Sequence, residues 1–291
     1  MGGDRTESSA ASRRRLGGIS PMNGSTPVWI DGEIFDATKA SVNALDHGFT
    51  LGDGFFESIR VTDGRPRFLE RHLLRLRQTA DRLDLAIDPS DADLSTAIDD
   101  LIARYGSDSG RLRLTVASGA GPLGPVRGTT GPTVTIAIDA LPHFAPTVRV
   151  VTVPWIRNER SPLAGIKSTS WGEGVEMLRR VRQMGADEAL LADSTGRLSE
   201  AIAANVFLVL GGRVLTPSLA SGCLPGIMRE ILLESGSVKE ADIAMPDVFK
   251  ATDIFIGSSL GGIRRVIQLD GRTSGGGKSE FFDQAQRWFE F

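Results

Sequence analysis

Hydrophobic residues in the first half of the chain recur with two different periods. Over residues 68–85 they lie three or four positions apart with Arg and Glu between them, which predicts an amphipathic helix with one buried face. Residues 94–105 predict a second helix. Strands are predicted where β-forming residues alternate or cluster around turn residues, over 28–34, 58–62, 111–117 and 133–138. Together these elements predict an α+β unit.

The second half mixes strands and helices more closely. A strand over 148–153 precedes a helix from about 174 to 184, and an amphipathic helix is expected near the C-terminus. Another helix is predicted over 225–234, with Pro225 in its first turn and Gly226 next, so its exposed amides make a candidate anion site. Short strands are predicted over 189–192, 206–210, 214–215 and 254–256.

Two prolines bracket residues 141–146 and exclude a helix or central strand there, which predicts an interdomain linker. We therefore expect a smaller α/β domain over 27–140 and a larger domain over 147–291. Residues 1–26 are rich in Gly, Ser and Arg and cannot bury enough apolar surface to offset the entropy lost on ordering. They predict a disordered N-terminal extension.

Composition narrows the class of protein. The 291 residues carry a net charge of -3, which gives no electrostatic reason to expect a nucleic-acid partner. The single cysteine, Cys223, cannot form an internal disulfide, and three histidines provide no cluster with metal-ligand spacing. No apolar run approaches the roughly 18 residues of a membrane span. We expect a cytoplasmic protein without a metal or a membrane contact.

Two short motifs suggest other chemistries and fail on their context. Residues 257–261 fit the G-x-S-x-G nucleophile elbow, but a hydrolase of that order needs a histidine after the serine, and all three histidines precede it. Residues 277–279 resemble the end of a phosphate-binding loop, yet the first glycine of that motif would fall on Arg272. Neither motif is retained.

Lysine is rare in this chain, since only five of the 33 basic residues are lysines. Lys167 lies between small and apolar residues, with no acidic side chain in the five preceding positions. Partial burial would lower its pKa and raise the fraction of neutral amine, which imine formation requires. A solvent-facing loop lysine is the alternative on this local evidence.

Several segments around Lys167 occur in an order that is typical of one family. They are 47–57, the Arg75-Leu76 pair, 163–170, 199–207, 224–229 and 257–260. On these segments the chain resembles the fold-type IV pyridoxal-phosphate enzymes, which include branched-chain and D-amino-acid aminotransferases and 4-amino-4-deoxychorismate lyase. The resemblance implies two α/β domains with the cofactor in the cleft between them. It also implies a homodimer in which a first-domain loop of one subunit closes the other's site.

The resemblance assigns a role to each matching position. Lys167 matches the lysine that binds pyridoxal 5'-phosphate covalently and then moves the substrate proton. Glu200 matches the carboxylate that faces the pyridine nitrogen and keeps the ring protonated. The remaining matches are cofactor contacts: Arg75, Ser259 and the amides of Ile227 and Met228 for the phosphate, with Leu224 against the ring.

The same resemblance leaves the reaction open between a lyase and an aminotransferase. The loop 118–125 lacks the Arg-x-His element of D-amino-acid aminotransferases, and residues 56–60 match the branched-chain pattern only in part. We favour 4-amino-4-deoxychorismate lyase, with a branched-chain or D-amino-acid aminotransferase as the alternative and a non-catalytic small-molecule-binding relative as a third. We expect an amine substrate. The candidate residues for contact with it are Phe49, Leu260 and Arg264. Arg264-Arg265 departs from the family pattern, and this cation pair would suit a dicarboxylic substrate. The alternative is that both are surface charges.

Overall fold

The computed structural model of the protein describes residues 26–289. The extension predicted for 1–26 therefore lies outside the described residues except for Thr26, whose carbonyl accepts a hydrogen bond from the Ala37 N–H. The predicted α/β class is confirmed, because the described residues form two separate sheets with helices packed on them.

The first sheet is antiparallel and has the strand order β2-β1-β6-β5-β3-β4. Its strands are β1 (Pro27–Ile30), β2 (Glu33–Asp36), β3 (Gly54–Thr62), β4 (Arg65–Pro66), β5 (Gly110–Ala117) and β6 (Thr133–Asp139). The helices of this half are α1 (His47–Thr50), α2 (Leu69–Leu83) and α3 (Asp91–Tyr105).

One face of the first sheet forms a hydrophobic core with α2 and α3. Alternate residues of β5, such as Leu112 and Leu114, are fully buried against Leu76 and Ile98 of the helices. Ser90 and Asp93 form a capping box that fixes the start of α3. The opposite face carries the intervening residues of β3 and β5 and is turned away from this core.

The second sheet is mixed and has the order β12-β11-β10-β13-β14-β7-β8-β9, with β15 paired to β14. Its strands are β7 (Thr147–Ile156), β8 (Glu188–Ala192), β9 (Leu198–Ala201), β10 (Asn205–Leu210), β11 (Arg213–Pro217), β12 (Lys239–Ala241), β13 (Asp253–Ser258), β14 (Gly262–Leu269) and β15 (Arg272–Thr273). The helices of this half are α4 (Gly172–Gln183), α5 (Ile227–Glu234) and α6 (Glu280–Phe289).

The second sheet is buried on both faces. Val206 of β10 and Ile256 of β13 belong to a core on one face of the sheet. Their neighbours in the same strands, Phe207 and Phe255, pack with α5 and α6 on the other face. Residues 140–145, between the sheets, lie in neither a helix nor a strand. This segment overlaps the linker predicted over 141–146, and the division into two domains stays a prediction.

The predicted elements differ from the structure mainly at their ends. The single segment 28–34 is two strands, because Asp31 and Gly32 adopt positive φ and form the turn of a hairpin. Helix α5 begins at Ile227 because Gly226 is its extended N-cap, and α4 begins at Gly172 rather than at 174. The sequence prediction missed the eight-residue strand β14, helix α1, the short strands β4, β12 and β15, and also β9, whose four residues are all buried although two of them are polar. Among the described residues, no helix is long and apolar enough to cross a membrane.

Candidate active site

The segment that carries Lys167 lies against the first sheet. The Lys167 carbonyl accepts a hydrogen bond from the Phe56 N–H at 2.9 Å, and the Thr169 N–H donates to the Gly54 carbonyl at 2.9 Å. A bridge between Phe55 and Ser168 continues this pairing. The backbone on both sides of the lysine is therefore fixed at the junction of the two halves.

The Lys167 amine lies in a setting that favours its neutral form. Its Nζ is 4.5 Å from the centre of the Phe56 ring. Burial lowers the pKa of Lys167 to about 8, and the positive charges of Arg75 and Arg113 act in the same direction, against the opposing effect of the Glu57 and Glu200 carboxylates. More of this amine is neutral near physiological pH than in an ordinary lysine, so it is a competent nucleophile and proton acceptor.

Glu200 is a buried carboxylate on β9 with two partners. Its Oε2 accepts a hydrogen bond from the Leu224 N–H at 3.1 Å, and its Oε1 lies 3.0 Å from Nε of Arg157. Burial raises the pKa of Glu200, and the Arg157 charge and the Leu224 amide only partly offset this effect. The carboxylate is thus held in place while it retains capacity for a further cationic partner.

Arg75 belongs to a second buried carboxylate cluster. Its Nε and Nη2 donate to Oε1 and Oε2 of Glu57 at 2.8 and 2.6 Å, and Nδ1 of His72 lies 2.7 Å from Oε2 of the same carboxylate. Burial opposes ionisation of Glu57, but the Arg75 charge and these hydrogen bonds outweigh it and lower its pKa to about 2. The side chain of Arg75 is therefore locked in one orientation.

That orientation directs Arg75 toward the start of α5. Its Nη1 donates to the Pro225 carbonyl at 2.8 Å, two residues before the helix. Three of the five guanidinium N–H groups are used, so two remain for a ligand. Among the described residues, no side chain caps the N-terminus of α5, which leaves the amides of Ile227 and Met228 available. A guanidinium and a helix N-terminus at one place form an anion site.

Two glycines allow this region to pack closely. A Cβ on Gly226 would collide with Oδ1 of Asn205, whose Nδ2 donates to the Leu224 carbonyl at 2.9 Å. A Cβ on Gly257 would collide with the sulfur of Met228, which is fully buried under β13. The side chain of Met228 is therefore part of the core, and only its backbone faces the start of α5.

The turn between β13 and β14 carries Ser259 and Leu260. Oγ of Ser258 accepts a hydrogen bond from the Gly261 N–H at 3.0 Å, and Nη1 of Arg60 donates to the Leu260 carbonyl at 3.1 Å. Ser259 is half-buried. The bond from Arg60 connects this turn of the second half to β3 of the first.

The structure separates Arg264 from Arg265. Consecutive residues of a strand face opposite sides of the sheet, and in β14 Arg265 stacks on Phe255 and Phe282, 5.4 and 5.2 Å from their ring centres. Arg264 instead lies 5.7 Å from the ring centre of Phe144 and, with Arg60, lines a cavity of about 210 Å³. The expectation of one site formed by both cations is wrong, and only Arg264 remains a candidate.

Phe49 lies apart from the buried clusters. It is on α1, and 77% of its surface is exposed. Within the described chain it therefore makes few of the contacts expected of a residue that lines a closed site.

Sequence reasoning missed two arginines that the structure brings near the candidate site. Arg113 pairs with Ser58 across β3 and β5, on the same face as Phe56, and its guanidinium carbon lies 3.6 Å from the centre of the Phe56 ring. It forms no ion pair with a carboxylate among residues 26–289. Arg157 lies against Glu200. The only sequence signal for Arg113 was its position in an alternating strand, and Arg157 had none.

Comparison with known proteins identifies the family of the chain. Residues 54–269 match the class IV amino-transferase family, and the chain belongs to that family. It is 30% identical over 254 residues to a Methanocaldococcus jannaschii protein provisionally named a branched-chain-amino-acid aminotransferase. The aligned region covers 84% of this chain and 88% of the relative. It is 26% identical to the D-alanine aminotransferase of Listeria innocua over 86% of this chain and 90% of that one.

A solved structure extends the comparison to a third activity. The 4-amino-4-deoxychorismate lyase from Pseudomonas aeruginosa superposes with a TM-score of 0.80 at 28% identity, over 91% of this chain and 100% of the lyase. The family is therefore one of pyridoxal-phosphate-dependent aminotransferases and lyases, and this chain is an enzyme of that class. The predicted cofactor is confirmed at the level of the family.

Proposed function

We propose that the chain is a pyridoxal-phosphate-dependent 4-amino-4-deoxychorismate lyase that releases pyruvate and 4-aminobenzoate. The observation that carries the cofactor assignment is the amine of Lys167, whose pKa is lowered to about 8 and which interacts electrostatically with both Arg75 and Glu200. Lys167 would bind the aldehyde, Glu200 the ring nitrogen, and Arg75 with the α5 amides the phosphate. Leu224 would pack on the ring and Ser259 would donate to the phosphate.

The cofactor, when bound, withdraws electrons from the carbon that bears the substrate amine. After the substrate amine has displaced Lys167 from the aldehyde carbon, the freed Lys167 Nζ would take the proton from the carbon that bears the substrate amine, because a large fraction of the lysine amine is neutral near pH 8. Glu200 holds a proton on the ring nitrogen as a buried anion. Arg75 cannot turn away from the phosphate because Glu57 fixes two of its three nitrogens. These steps are common to the lyase and the aminotransferase.

The choice of a lyase depends on the substrate side of the site. Aminodeoxychorismate has two carboxylates, and Arg113 offers an accessible cation on the face of β5 that carries Phe56, near the Lys167 amine. The likeness to the Pseudomonas lyase over 91% of the chain also supports it. The alternative, an aminotransferase acting on branched-chain or D-amino acids, is supported by the Methanocaldococcus and Listeria relatives.

One variant tests the cofactor assignment. We expect Lys167→Ala to remove the visible absorbance of the protein incubated with pyridoxal phosphate and to abolish turnover, because no other lysine lies in this cluster. Lys250→Ala is the matched control, since Lys250 pairs with Asp247 on the surface. A Lys167→Ala protein that stays coloured and fully active would refute the proposal. A wild-type protein that takes up no cofactor would instead indicate the non-catalytic relative.

A product assay separates the two reactions. We expect release of pyruvate and 4-aminobenzoate from aminodeoxychorismate without any keto acid. Turnover of L- or D-amino acids that depends on an added keto acid, without 4-aminobenzoate release, would establish the aminotransferase instead.

Arg113→Met tests the carboxylate contact. We expect it to raise the KM for aminodeoxychorismate by about tenfold, which corresponds to one charged hydrogen bond. Arg111→Met is the control, because Arg111 lies on the same face but pairs with Asp139 at 3.5 Å. Arg264→Ala should raise the KM for a dicarboxylic substrate more than for a monocarboxylic one. Equal effects on both substrates would exclude Arg264 from the site.

We further propose a homodimer, supported by an exposed apolar surface on the first half of the chain. The surface joins segment 42–51 to loop 119–128, since the Gly121 N–H donates to the Leu45 carbonyl and Nε2 of His47 lies 2.7 Å from the Pro122 carbonyl oxygen. Its exposed side chains are Val42, Leu45, Phe49, Leu51, Leu123 and Val126. A patch of this kind is typical of an interface.

The oligomeric state can be tested by light scattering after size exclusion. We expect Leu123→Asp, which charges a side chain that is 83% exposed, to convert the dimer to a monomer and to lower activity. A wild-type monomer with full activity would contradict this proposal.

A further inference from the structure

We infer that Arg157 is a positioning residue that keeps Glu200 ionised and aimed at the ring nitrogen of the cofactor. This inference rests on the proposed function, because it concerns the carboxylate assigned to that nitrogen. Arg157 itself would not touch the cofactor or the substrate, and it would act only through Glu200.

The geometry assigns a separate task to each oxygen of Glu200. Oε1 faces Nε of Arg157 at 3.0 Å, and Oε2 receives the Leu224 N–H. Arg157 is itself anchored, because it follows β7 directly and its N–H donates to the Ala192 carbonyl at 2.7 Å. The backbone from which the Arg157 guanidinium reaches Glu200 is therefore fixed to the end of β8.

The contact between Arg157 and Glu200 is one of charge more than of hydrogen bonding. Nε of Arg157 is a buried nitrogen without an aligned acceptor among the described residues, although the carboxylate oxygen is close. About 30% of the Arg157 side chain is exposed, while the Glu200 side chain is almost entirely buried. Solvation at its exposed side limits the cost of burying the guanidinium charge.

The other groups near Glu200 cannot replace Arg157. Burial is the largest influence on Glu200 and raises its pKa, and the charge of Arg157 is the largest influence against it, ahead of the Leu224 amide and Lys167. Burial lowers the pKa of Lys167 to about 8, so this amine loses its charge toward the upper end of the pH range of the test, whereas a guanidinium stays charged. Burial and the nearby Glu200 charge raise the pKa of the Cys223 thiol to about 11, so this neighbour stays neutral. Among the described residues, Arg157 is then the neighbour of Glu200 that keeps its positive charge throughout this pH range.

The test uses a cofactor analogue that cannot form the covalent link. 4-Deoxypyridoxine 5'-phosphate keeps the ring nitrogen and the phosphate but has no aldehyde, so its binding to the apoprotein reports the contact with Glu200 without any turnover. Its dissociation constant would be measured by fluorescence titration between pH 5 and 9 for the wild type and three variants. The variants are Arg157→Met, Arg157→Lys and Arg160→Met.

We expect Arg157→Met to weaken binding about tenfold at the acidic end, with the difference from the wild type closing as the pH rises. The reason is that an uncompensated Glu200 holds a proton, and binding of a protonated ring must release it. Arg157→Lys should remain close to the wild type because it keeps the charge. Arg160→Met removes an arginine three positions away that is 81% exposed at its side chain, and it should bind as the wild type does.

Two results would overturn the inference. One is an Arg157→Met protein whose binding curve coincides with the wild type, or is displaced equally at every pH as a purely structural defect would be. The other is an Arg157→Lys protein that binds the analogue about tenfold more weakly than the wild type at the acidic end, a result that decides the question even if Arg157→Met does not fold. Failure of the cofactor assignment looks different, because the wild type itself would then bind neither the analogue nor pyridoxal phosphate, and failure of the lyase assignment would show only in the product assay.

Discussion

Glu57 and Glu200 are two buried carboxylates with opposite properties. They are 2% and 7% exposed, so burial penalises the ionisation of both. The pKa of Glu57 is nevertheless lowered to about 2, whereas that of Glu200 is raised. Glu57 receives two aligned bonds from Arg75 and one contact from His72, while Glu200 has one imperfectly aligned cation and one amide. The number and alignment of donors decide the charge state, and burial alone does not.

This difference matches the tasks that we propose for the two residues. Both oxygens of the Glu57 carboxylate already have partners in Arg75 and His72, and its role is to hold Arg75 toward the start of α5. Glu200 is only partly compensated, and it gains most from a further positive partner such as a protonated ring nitrogen. One carboxylate is fixed in the fold and the other is available to a ligand.

Removing Glu57 should have the largest effect on the protein without cofactor. We expect Glu57→Ala to lower the free energy of unfolding by about 3–5 kcal/mol at neutral pH, because it leaves the charge of Arg75 buried and unpaired. Urea unfolding of the apoprotein measures it. Loss of less than about 1 kcal/mol would mean that the network does not hold Arg75 and that the contrast with Glu200 is not real.

The contribution of Glu57 to the free energy of unfolding should also depend on pH, and it should decrease in acid. The pKa of Glu57 in the folded protein, about 2, lies below its ordinary value of 4.5, so its stabilisation is present above pH 4.5 and is lost as the pH falls toward 2. The difference corresponds to about 3 kcal/mol. Unfolding of the wild type and of Glu57→Gln across this range should converge at low pH.

A surface carboxylate provides the control for this acid profile. Glu176 on α4 has 44% of its side chain exposed, and its hydrogen bonds from Arg179 and Arg180 also lower its pKa to about 2. Because solvent screens exposed ion pairs, Glu176→Gln should change the profile little. A Glu57→Gln curve that runs parallel to the wild type at every pH would contradict the assignment.

Replacing Glu200 should have the smallest effect on stability and the opposite sign. A carboxyl whose folded pKa is raised stabilises the protein below pH 4.5 and loses that contribution as the pH rises. We therefore expect Glu200→Gln to leave the apoprotein as stable as the wild type at neutral pH or more stable by up to about 1 kcal/mol, while cofactor binding weakens. A marked loss of stability would make Glu200 a structural residue like Glu57.

The sequence alone determined the elements with strong periodicity and the family. Leu73 and Leu76 are spaced for one buried helix face, and α2 lies there because that pattern acts through neighbouring residues of one helix. Because lysine is rare in this chain, Lys167 is a candidate functional residue from the sequence alone. The order of the motifs around it predicted the family, and the family match confirms that prediction. Sequence reasoning could select these features because each depends on residues close together in the chain.

Tertiary structure decided which charges meet. Arg75 and Glu57 are 18 residues apart, and Arg157 follows β7 whereas Glu200 lies on β9, so no local pattern signals either pair. Strand geometry also placed Arg264 and Arg265 on opposite faces, which an adjacent pair of letters does not reveal. Ionisation of a buried group depends on the distance and alignment of its partners in space, and these are set only when the sheets and helices pack.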